Sequence, residues 1–372
     1  MLKSVLKLLP AACFMLAANA FAVVNVAVVA PRAGEFKLFG DELVGGVKIA
    51  VDDINASGGI RGERINLVVV DDQCDDRIAV STAQMMAVNS SPKEKISLVI
   101  GPYCDNAFAK TAEIYARAGI FQIVPTAVSK SAAESRQHGL IKMIGSYDSQ
   151  GAVFYKYYQE NFNGDAVALV YNGEMRKAVE IAAAVQNEFR KNNQADVLRT
   201  YDFAHYGKSH SGLARDVAAQ GNRLVYLLGE AANLAVLARD IKDEDRSLTI
   251  FTNRYQTDER FLELLGDLAE GSYSVALPSL KDDPDFTETL VRLRLQGAEP
   301  EGLGVYSYSA VKLWQELVEA ADSFKYADLA KKLRNRKVRM VWGEEEYKDG
   351  NPLEPVNYGI YQLQGGDYTQ VY

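Results

Sequence analysis

Short apolar runs alternate with longer amphipathic stretches along the first part of the chain. Residues 24–29 form one such run. After a loop, a helix is predicted from near Asp41, because Leu43, Val47, Val51 and Ile54 recur at the helical period. The next apolar runs lie at 65–70, 98–100 and 120–124. This repeated order of strand and helix predicts a parallel sheet with right-handed crossovers.

The pattern restarts near residues 144–150 and repeats the same alternation. The predicted strands of this second set lie at 166–171, 197–200, 224–228 and 248–252. Helical stretches then follow each other without a strand between them, and the tail returns to strands: helices at 286–295 and 310–321, strands at 338–341 and 358–363, turns at Asn351-Pro352 and Gly365-Gly366. We therefore predict an α/β protein of two Rossmann-like lobes, crossed more than once by the chain, with a ligand cleft between them.

The stretch 98–108 is where a ligand loop is expected. Its apolar run stops at Gly101 and Pro102, and Asp105 and Asn106 are good N-cap residues for a helix that follows. In an open α/β sheet, ligands bind beyond the carboxyl ends of the strands. The sequence therefore predicts a binding loop at 101–104.

Composition excludes some partners and indicates export. The 372 residues are 48% hydrophobic with a net charge of -8, and no clustered basic surface for nucleic acid is evident. Residues 1–22 have Lys3 and Lys7, an apolar run at 8–18 and small residues at Ala20 and Ala22, which predicts a signal peptide. Lipid attachment at Cys13 is the alternative. No later run is long enough for a membrane span, so we expect a soluble exported chain that begins near Val23.

Two cysteines, Cys74 and Cys104, remain after the leader. In an oxidising compartment they predict a disulfide, with two separate buried thiols as the alternative; a metal site is not expected from two cysteines without nearby histidines. No glycine-rich phosphate loop and no Gly-x-Ser-x-Gly elbow are present. We therefore expect neither an enzyme nor a cofactor.

Four stretches together resemble the periplasmic substrate-binding proteins of the branched-chain amino acid (Leu/Ile/Val-binding) type: residues 26–29, 45–62, 71–75 and 99–104. The resemblance implies a Cys74–Cys104 disulfide in the first lobe and three crossovers, near Ser146, Pro278 and Trp342. It implies an N-terminal lobe of 23–146 plus 279–342 and a C-terminal lobe of 147–278 plus 343–372. It also implies a periplasmic monomer that captures a small solute by closing its lobes and delivers it to the membrane subunits of an ABC importer. A soluble sensor that signals to a partner protein is the alternative, and a periplasmic enzyme is a third.

The binding positions depart from that family where amino acids are held. The hydroxyl residue after the second cysteine is replaced by Asp105, and the threonine after the next strand aligns with Val128, with Thr126 and Ser129 nearby. The acid that pairs with the ligand ammonium is replaced in the stretch that contains Arg254 and Tyr255. The ligand is therefore not expected to be a standard branched-chain amino acid, since one carboxylate would repel another.

Each charged candidate residue has a structural role as its alternative. Asp105 either caps its own helix or accepts hydrogen bonds from a ligand, and Arg254 is either solvated or a forked donor for a carboxylate. Glu230 either lines the cleft or caps the next helix. Aromatic residues near strand ends are candidate walls: Phe36, Phe39, Tyr103, Tyr147, Tyr171 and Tyr255. This set predicts a small organic acid or a polar aromatic compound as the ligand.

Overall fold

The computed structural model describes residues 23–34, 36–88, 91, 94–126, 139–144, 146–253, 259–278, 280, 284–295, 302–333, 336–340, 343–348, 351–352 and 358–372. The predicted signal peptide, Ser129, Arg254, Tyr255 and Trp342 lie outside these residues. Elements are numbered below in chain order over the described residues.

The first lobe contains a sheet of parallel strands. Its order is β2-β1-β3-β4-β5, formed by Val23–Val29 (β1), Arg64–Val70 (β2), Ile96–Ile100 (β3), Phe121–Val124 (β4) and Leu140–Lys142 (β5). Strand β4 is buried throughout and β1 is buried after Val23. Helices cover both faces of such a sheet, which explains why β1 and β4 are mainly apolar.

The second lobe contains a mixed sheet with a parallel centre. Its order is β15-β14-β10-β9-β8-β6-β7, formed by Val167–Tyr171 (β6), Leu198–Asp202 (β7), Leu224–Leu228 (β8), Thr249–Asn253 (β9), Tyr273–Ala276 (β10), Gly359–Gln364 (β14) and Asp367–Gln370 (β15). Strands β14 and β15 run antiparallel to their neighbours. The chain thus returns to this sheet at its end, as the tail pattern predicts, and the two-lobe α/β fold is confirmed.

Helices connect the strands of both sheets. Their bounds are Lys37–Ala56 (α1), Asp76–Val88 (α2), Asp105–Ala118 (α3), Asp148–Asn161 (α4), Arg176–Lys191 (α5), His210–Ala219 (α6), Ala231–Glu244 (α7), Glu259–Leu265 (α8), Thr287–Leu295 (α9), Leu303–Ala321 (α10) and Tyr326–Leu333 (α11). Helices α1 and α10 pack against each other, and the buried carboxylate of Glu42 on α1 accepts a 3.0 Å hydrogen bond from the backbone N–H of Leu303. This contact satisfies a free donor at the start of α10 and joins that late helix to the first lobe.

Two local predictions are wrong. Helix α1 begins at Lys37 rather than near Asp41, because Gly40 continues the helix. Only glycine fits at this position, since a Cβ there would lie 1.7 Å from the carbonyl oxygen of Pro31. Asn351-Pro352 is a short strand, β13, rather than a turn. It pairs with Gly343–Lys348 (β12), which pairs in turn with Arg336–Met340 (β11) in a small antiparallel sheet.

Candidate ligand site in the interlobe cleft

The loop after β3 is fixed by backbone geometry. Gly101 has φ +98°, and a Cβ at this position would lie 2.4 Å from the carbonyl oxygen of Val29 on the neighbouring strand. The side-chain amide of Gln122 on β4 donates a 2.8 Å hydrogen bond to the Gly101 carbonyl oxygen. Only glycine fits so close to β1 with a positive φ, so the chain turns at once towards α3.

A disulfide joins this loop to the loop after β2. Cys74 and Cys104 are bonded, with their Cα atoms 5.5 Å apart, as predicted. Cys104 is the N-cap residue of α3 and Asp105 is the first residue of the helix, so the prediction that Asp105 or Asn106 is the N-cap is wrong. The cross-link places Cys104 at the cap because it ties that residue to the neighbouring loop. Asp105 in the first turn still stabilises α3 through the helix dipole.

A cavity of about 400 Å³ lies where these loops meet the second lobe. It is called the cleft cavity below, and the described residues that line it are Phe36, Phe39, Cys74, Tyr103, Cys104, Asp105, Asn106, Thr126, Tyr147, Met175, Arg176, Lys177 and Leu303. Most of them lie in the loop, or in the first turn of the helix, that follows β1, β2, β3, β4 or β6. The rule for open α/β sheets therefore accounts for the position of the cavity.

One wall of the cleft cavity is aromatic. The rings of Phe39 and Tyr103 stack with centroids 5.4 Å apart and planes 6° from parallel, and Phe36 lies 6.1 Å from Tyr103. Tyr147, 8% exposed, contributes a fourth ring at the start of α4. Such a wall is suited to a flat apolar body, since aromatic pairs favour offset-stacked or edge-to-face contacts.

Charged groups meet across the cleft at the starts of two helices. Asp105 Oδ2 of α3 lies 3.7 Å from a guanidinium nitrogen of Arg176 at the start of α5. The next residue, Lys177, holds its Nζ 5.6 Å from the ring centroid of Tyr147. Burial lowers the pKa of Lys177 from 10.5 to about 8, and burial, reinforced by Asp105, raises the pKa of Tyr147 well above its usual value. Tyr147 is therefore neutral at physiological pH and Lys177 is mainly a cation.

Thr126 supplies a buried hydroxyl at the cleft cavity. Its side chain is 5% exposed, and its Oγ1 has no hydrogen-bond partner in the described part of the chain. Leaving a buried hydroxyl unsatisfied is unfavourable. This atom is therefore placed to bind a polar group of a ligand.

The structure brings six of the predicted site residues together and leaves two elsewhere. The cleft cavity is lined by Phe36, Phe39, Tyr103, Asp105, Thr126 and Tyr147, but not by Tyr171 and Glu230. Tyr171 packs against the core, and both carboxylate oxygens of Glu230 accept hydrogen bonds of 3.0–3.1 Å from the side-chain amide of Asn172. Glu230 is the N-cap residue of α7 but makes no side-chain cap bond. Ser129, Arg254 and Tyr255 are outside the described residues.

Sequence reasoning missed the contribution of the second lobe at Met175, Arg176 and Lys177. A signal was present, because Asn172–Met175 follows the carboxyl end of β6 directly, where the ligand rule applies. The run Met175-Arg176-Lys177 also opens a strongly amphipathic helix, and basic residues there are easily taken for a solvated face. The cleft cavity is what distinguishes these cations from solvated ones.

Two features are absent from the described residues. No group of three or more His, Cys, Asp or Glu side chains that could hold a metal ion occurs among them. Within the same residues, no helix is both long and apolar enough to cross a membrane.

Comparison with known proteins gives a consistent family. The model of the family described as periplasmic binding protein matches residues 23–367. An amino acid binding protein of Pseudomonas aeruginosa is 28% identical, over 99% of this chain and 98% of the relative. Among solved structures, a leucine binding protein from Thermotoga maritima has a TM-score of 0.78 at 18% identity, covering 94% of this chain and 98% of that one.

A second solved structure has a different ligand. It is an ABC transporter solute binding protein from R. palustris in complex with benzoate, with a TM-score of 0.76 at 16% identity, covering 94% of this chain and 96% of that one. At these identities the solved structures show a shared fold only. The family match covers nearly the whole chain, so this protein belongs to the periplasmic binding proteins, which bind solutes and are not enzymes.

Proposed function

We propose that this protein captures a small organic acid between its lobes and delivers it to an ABC importer, and that the ligand is not a standard branched-chain amino acid. The observation that carries the proposal is the charge of the cleft cavity. Its described lining has one carboxylate, Asp105, against two cations, Arg176 and Lys177. The Asp105 carboxylate faces Arg176 of the opposite lobe. An anionic ligand is therefore favoured over a zwitterion, whose ammonium needs an acid.

The walls support an acid with a flat apolar body. Phe36, Phe39, Tyr103 and Tyr147 surround much of the cleft cavity, and about 400 Å³ suits a compact molecule. The structural neighbour from R. palustris was solved with benzoate, so the fold accommodates such an acid. The leucine binding neighbour shows that it also accommodates an aliphatic amino acid, and the choice here depends on this chain's own side chains.

The lobes are proposed to be 23–146 plus 279–342 and 147–278 plus 343–372, with crossovers near Ser146, Pro278 and Trp342. Helices α1 and α10 are in contact, and the Leu303 N–H donates a hydrogen bond to Glu42 there. This contact supports placing the late helices with the first lobe. The return of β14 to β10 supports placing the tail with the second. We propose hinge closure of a monomer in the periplasm as the capture step.

A thermal-shift panel tests the ligand class. The compounds are leucine, valine, benzoate, benzamide and cyclohexanecarboxylate, each at the same concentration and ionic strength. Benzamide removes only the charge of benzoate, and cyclohexanecarboxylate removes only its aromaticity. We expect benzoate and cyclohexanecarboxylate to stabilise the protein, because a ligand that binds only the folded state raises the melting temperature.

The same panel can contradict the proposal. Strong stabilisation by leucine or valine alone means that the ligand class is wrong. Native mass spectrometry of protein purified under gentle conditions gives an independent answer, because it reads the mass of any compound that remains bound.

A further inference from the structure

Lys177 occupies an electrostatically unfavourable position. It is the second residue of α5, whose first turn has no acidic residue and whose N-cap residue, Met175, makes no side-chain cap bond. The start of a helix carries partial positive charge, so two consecutive cations, Arg176 and Lys177, destabilise it. A residue that is unfavourable for stability at a ligand cavity is commonly retained for binding.

Burial adds to this cost. The pKa of Lys177 is lowered to about 8 because the ammonium is removed from water, and its charged form lies over the Tyr147 ring. Below that pH the side chain is nevertheless a cation in the wall of the cleft cavity. An anion beside it would recover part of the lost solvation.

Arg176 is in a different situation from its neighbour. Its side chain is 58% exposed, and its Nε donates a 3.0 Å hydrogen bond to Glu180 on the next turn. A second guanidinium nitrogen faces Asp105. Two carboxylates of the protein therefore face Arg176 and much of its side chain is in solvent, whereas the Lys177 side chain is more buried at the cleft cavity.

Across the cavity, the Thr126 hydroxyl provides an independent indication of a ligand. This group is buried at the cavity and has no partner in the part of the chain that the structure describes. A carboxylate accepts hydrogen bonds from both a hydroxyl and an ammonium. A ring attached to that carboxylate would lie among the aromatic side chains.

We propose that Lys177 selects the charge of the ligand, and that the ligand is an aromatic monocarboxylic acid whose carboxylate binds Lys177 and Thr126 from opposite lobes. The proposal rests on the proposed function, since it assigns the substrate class of the same site. It names the residue that selects the charge of the ligand, which the organic-acid proposal does not name.

Isothermal titration of benzoate and benzamide into four proteins tests it: the wild type, Lys177→Met, Lys177→Arg and Lys156→Met. Lys156 is an exposed residue of α4, so Lys156→Met makes the same chemical change away from the cleft cavity. For the wild type we expect benzoate to bind about tenfold or more tightly than benzamide, the ratio typical of one charge-assisted hydrogen bond. Lys177→Met should abolish this preference, while Lys177→Arg should retain part of it and Lys156→Met all of it.

Each outcome decides between the two proposals. If the wild type prefers benzoate and Lys177→Met keeps that preference, the role of Lys177 is wrong and the proposed function stands. If the wild type binds neither compound at millimolar concentration, the aromatic-acid proposal is wrong and the proposed function stands. If the wild type binds leucine instead, both are wrong. A melting temperature of Lys177→Met at or above that of the wild type excludes misfolding as the cause of lost binding.

Discussion

Asp105 and Arg176 belong to different lobes, yet their charged atoms lie 3.7 Å apart across the cleft. The aromatic wall and Lys177 line the same cleft cavity as this pair. Under the proposed hinge closure, the ion pair contributes to the free energy of the closed form.

The first prediction is that Asp105→Asn favours the open form. The loss is at most about 1 kcal/mol, because Arg176 is more than half exposed and solvent screens the pair. Small-angle scattering of the ligand-free protein should give a larger radius of gyration for Asp105→Asn than for the wild type at low salt. The difference should shrink in 0.5 M NaCl, because salt screens the wild-type pair.

Arg176→Gln is the matched variant, and the double variant completes a cycle. If the pair acts as described, the double variant should be no more open than either single one. Equal radii for wild type and both single variants at low salt would show that the contact does not influence closure.

The second prediction concerns the pH dependence of stability. Lys177 has a pKa of about 8 when folded and 10.5 as its ordinary value, so between these values the unfolded chain binds more protons and the free energy of unfolding rises with pH. Lys177→Met removes this dependence. We expect Lys177→Met to be more stable than the wild type at pH 7, with a difference that falls towards zero as the pH approaches 10.5.

Urea unfolding of ligand-free protein at pH 7, 8, 9 and 10 measures this difference. The other titratable groups near this corner are Asp105, Tyr103, Glu180 and Tyr358, together with Arg176 and Tyr147 itself. Because both proteins contain all of them, the difference isolates Lys177. A difference that stays constant with pH would contradict the assignment.

The third prediction concerns the disulfide. Cys74 and Cys104 are 30 residues apart, and a cross-link over such a loop stabilises a protein by about 3–4 kcal/mol in the chain-entropy description. The double variant Cys74→Ser/Cys104→Ser should lose that amount in urea unfolding. It should also bind its acid more weakly, because both cysteines line the cleft cavity and the loop then loses freedom on binding.

Wild-type protein reduced with dithiothreitol serves as the control. Its unfolding free energy should approach that of the double serine variant, because both lack the cross-link. A reduced protein as stable as the oxidised one would mean that the loops are held by other contacts.

The fourth prediction is that Asp72→Asn stabilises the protein at neutral pH. Asp72 is fully buried, and burial raises the pKa of its carboxyl above 3.8 despite a 3.3 Å hydrogen bond from the backbone N–H of Cys74. The folded state thus holds this proton more tightly than the unfolded chain, and stability falls as pH rises through that range. Asparagine keeps an acceptor for Cys74 without the charge, so we expect a gain of about 1 kcal/mol at pH 7.

Urea unfolding at pH 7 and at pH 4 distinguishes this cause from a packing effect. The gain should shrink at the lower pH, where a larger fraction of the wild-type carboxyl is already neutral. The same gain at both values would show that charge is not the reason.

Much of the fold follows from short-range patterns. The buried strands β1, β3 and β4 are mainly apolar, with one polar residue each, so their sequences indicate buried strands of a parallel sheet. The N-cap of α3 was misplaced because Asp105 has the better intrinsic propensity, whereas the disulfide determines where Cys104 lies. Tertiary constraints of this kind are not encoded in local preference.

Apart from Tyr147, the predicted part of the site belongs to the first lobe. Phe36, Tyr103, Asp105 and Thr126 follow strands whose ends could be located, and the strand-end rule placed them together. Whether Arg176 and Lys177 face that group depends on how one lobe is oriented towards the other. Sequence periodicity contains no information about that orientation.

The described contribution of the second lobe to the cleft cavity consists of Tyr147 and the single stretch Met175–Lys177. The first lobe supplies a wall with a disulfide cross-link and stacked rings. Under the proposed function, ligand charge can therefore be changed by substitutions within one helical turn that alter neither the disulfide nor a sheet. Divergence of specificity, in nature or in the laboratory, can proceed at this turn while the fold stays as it is.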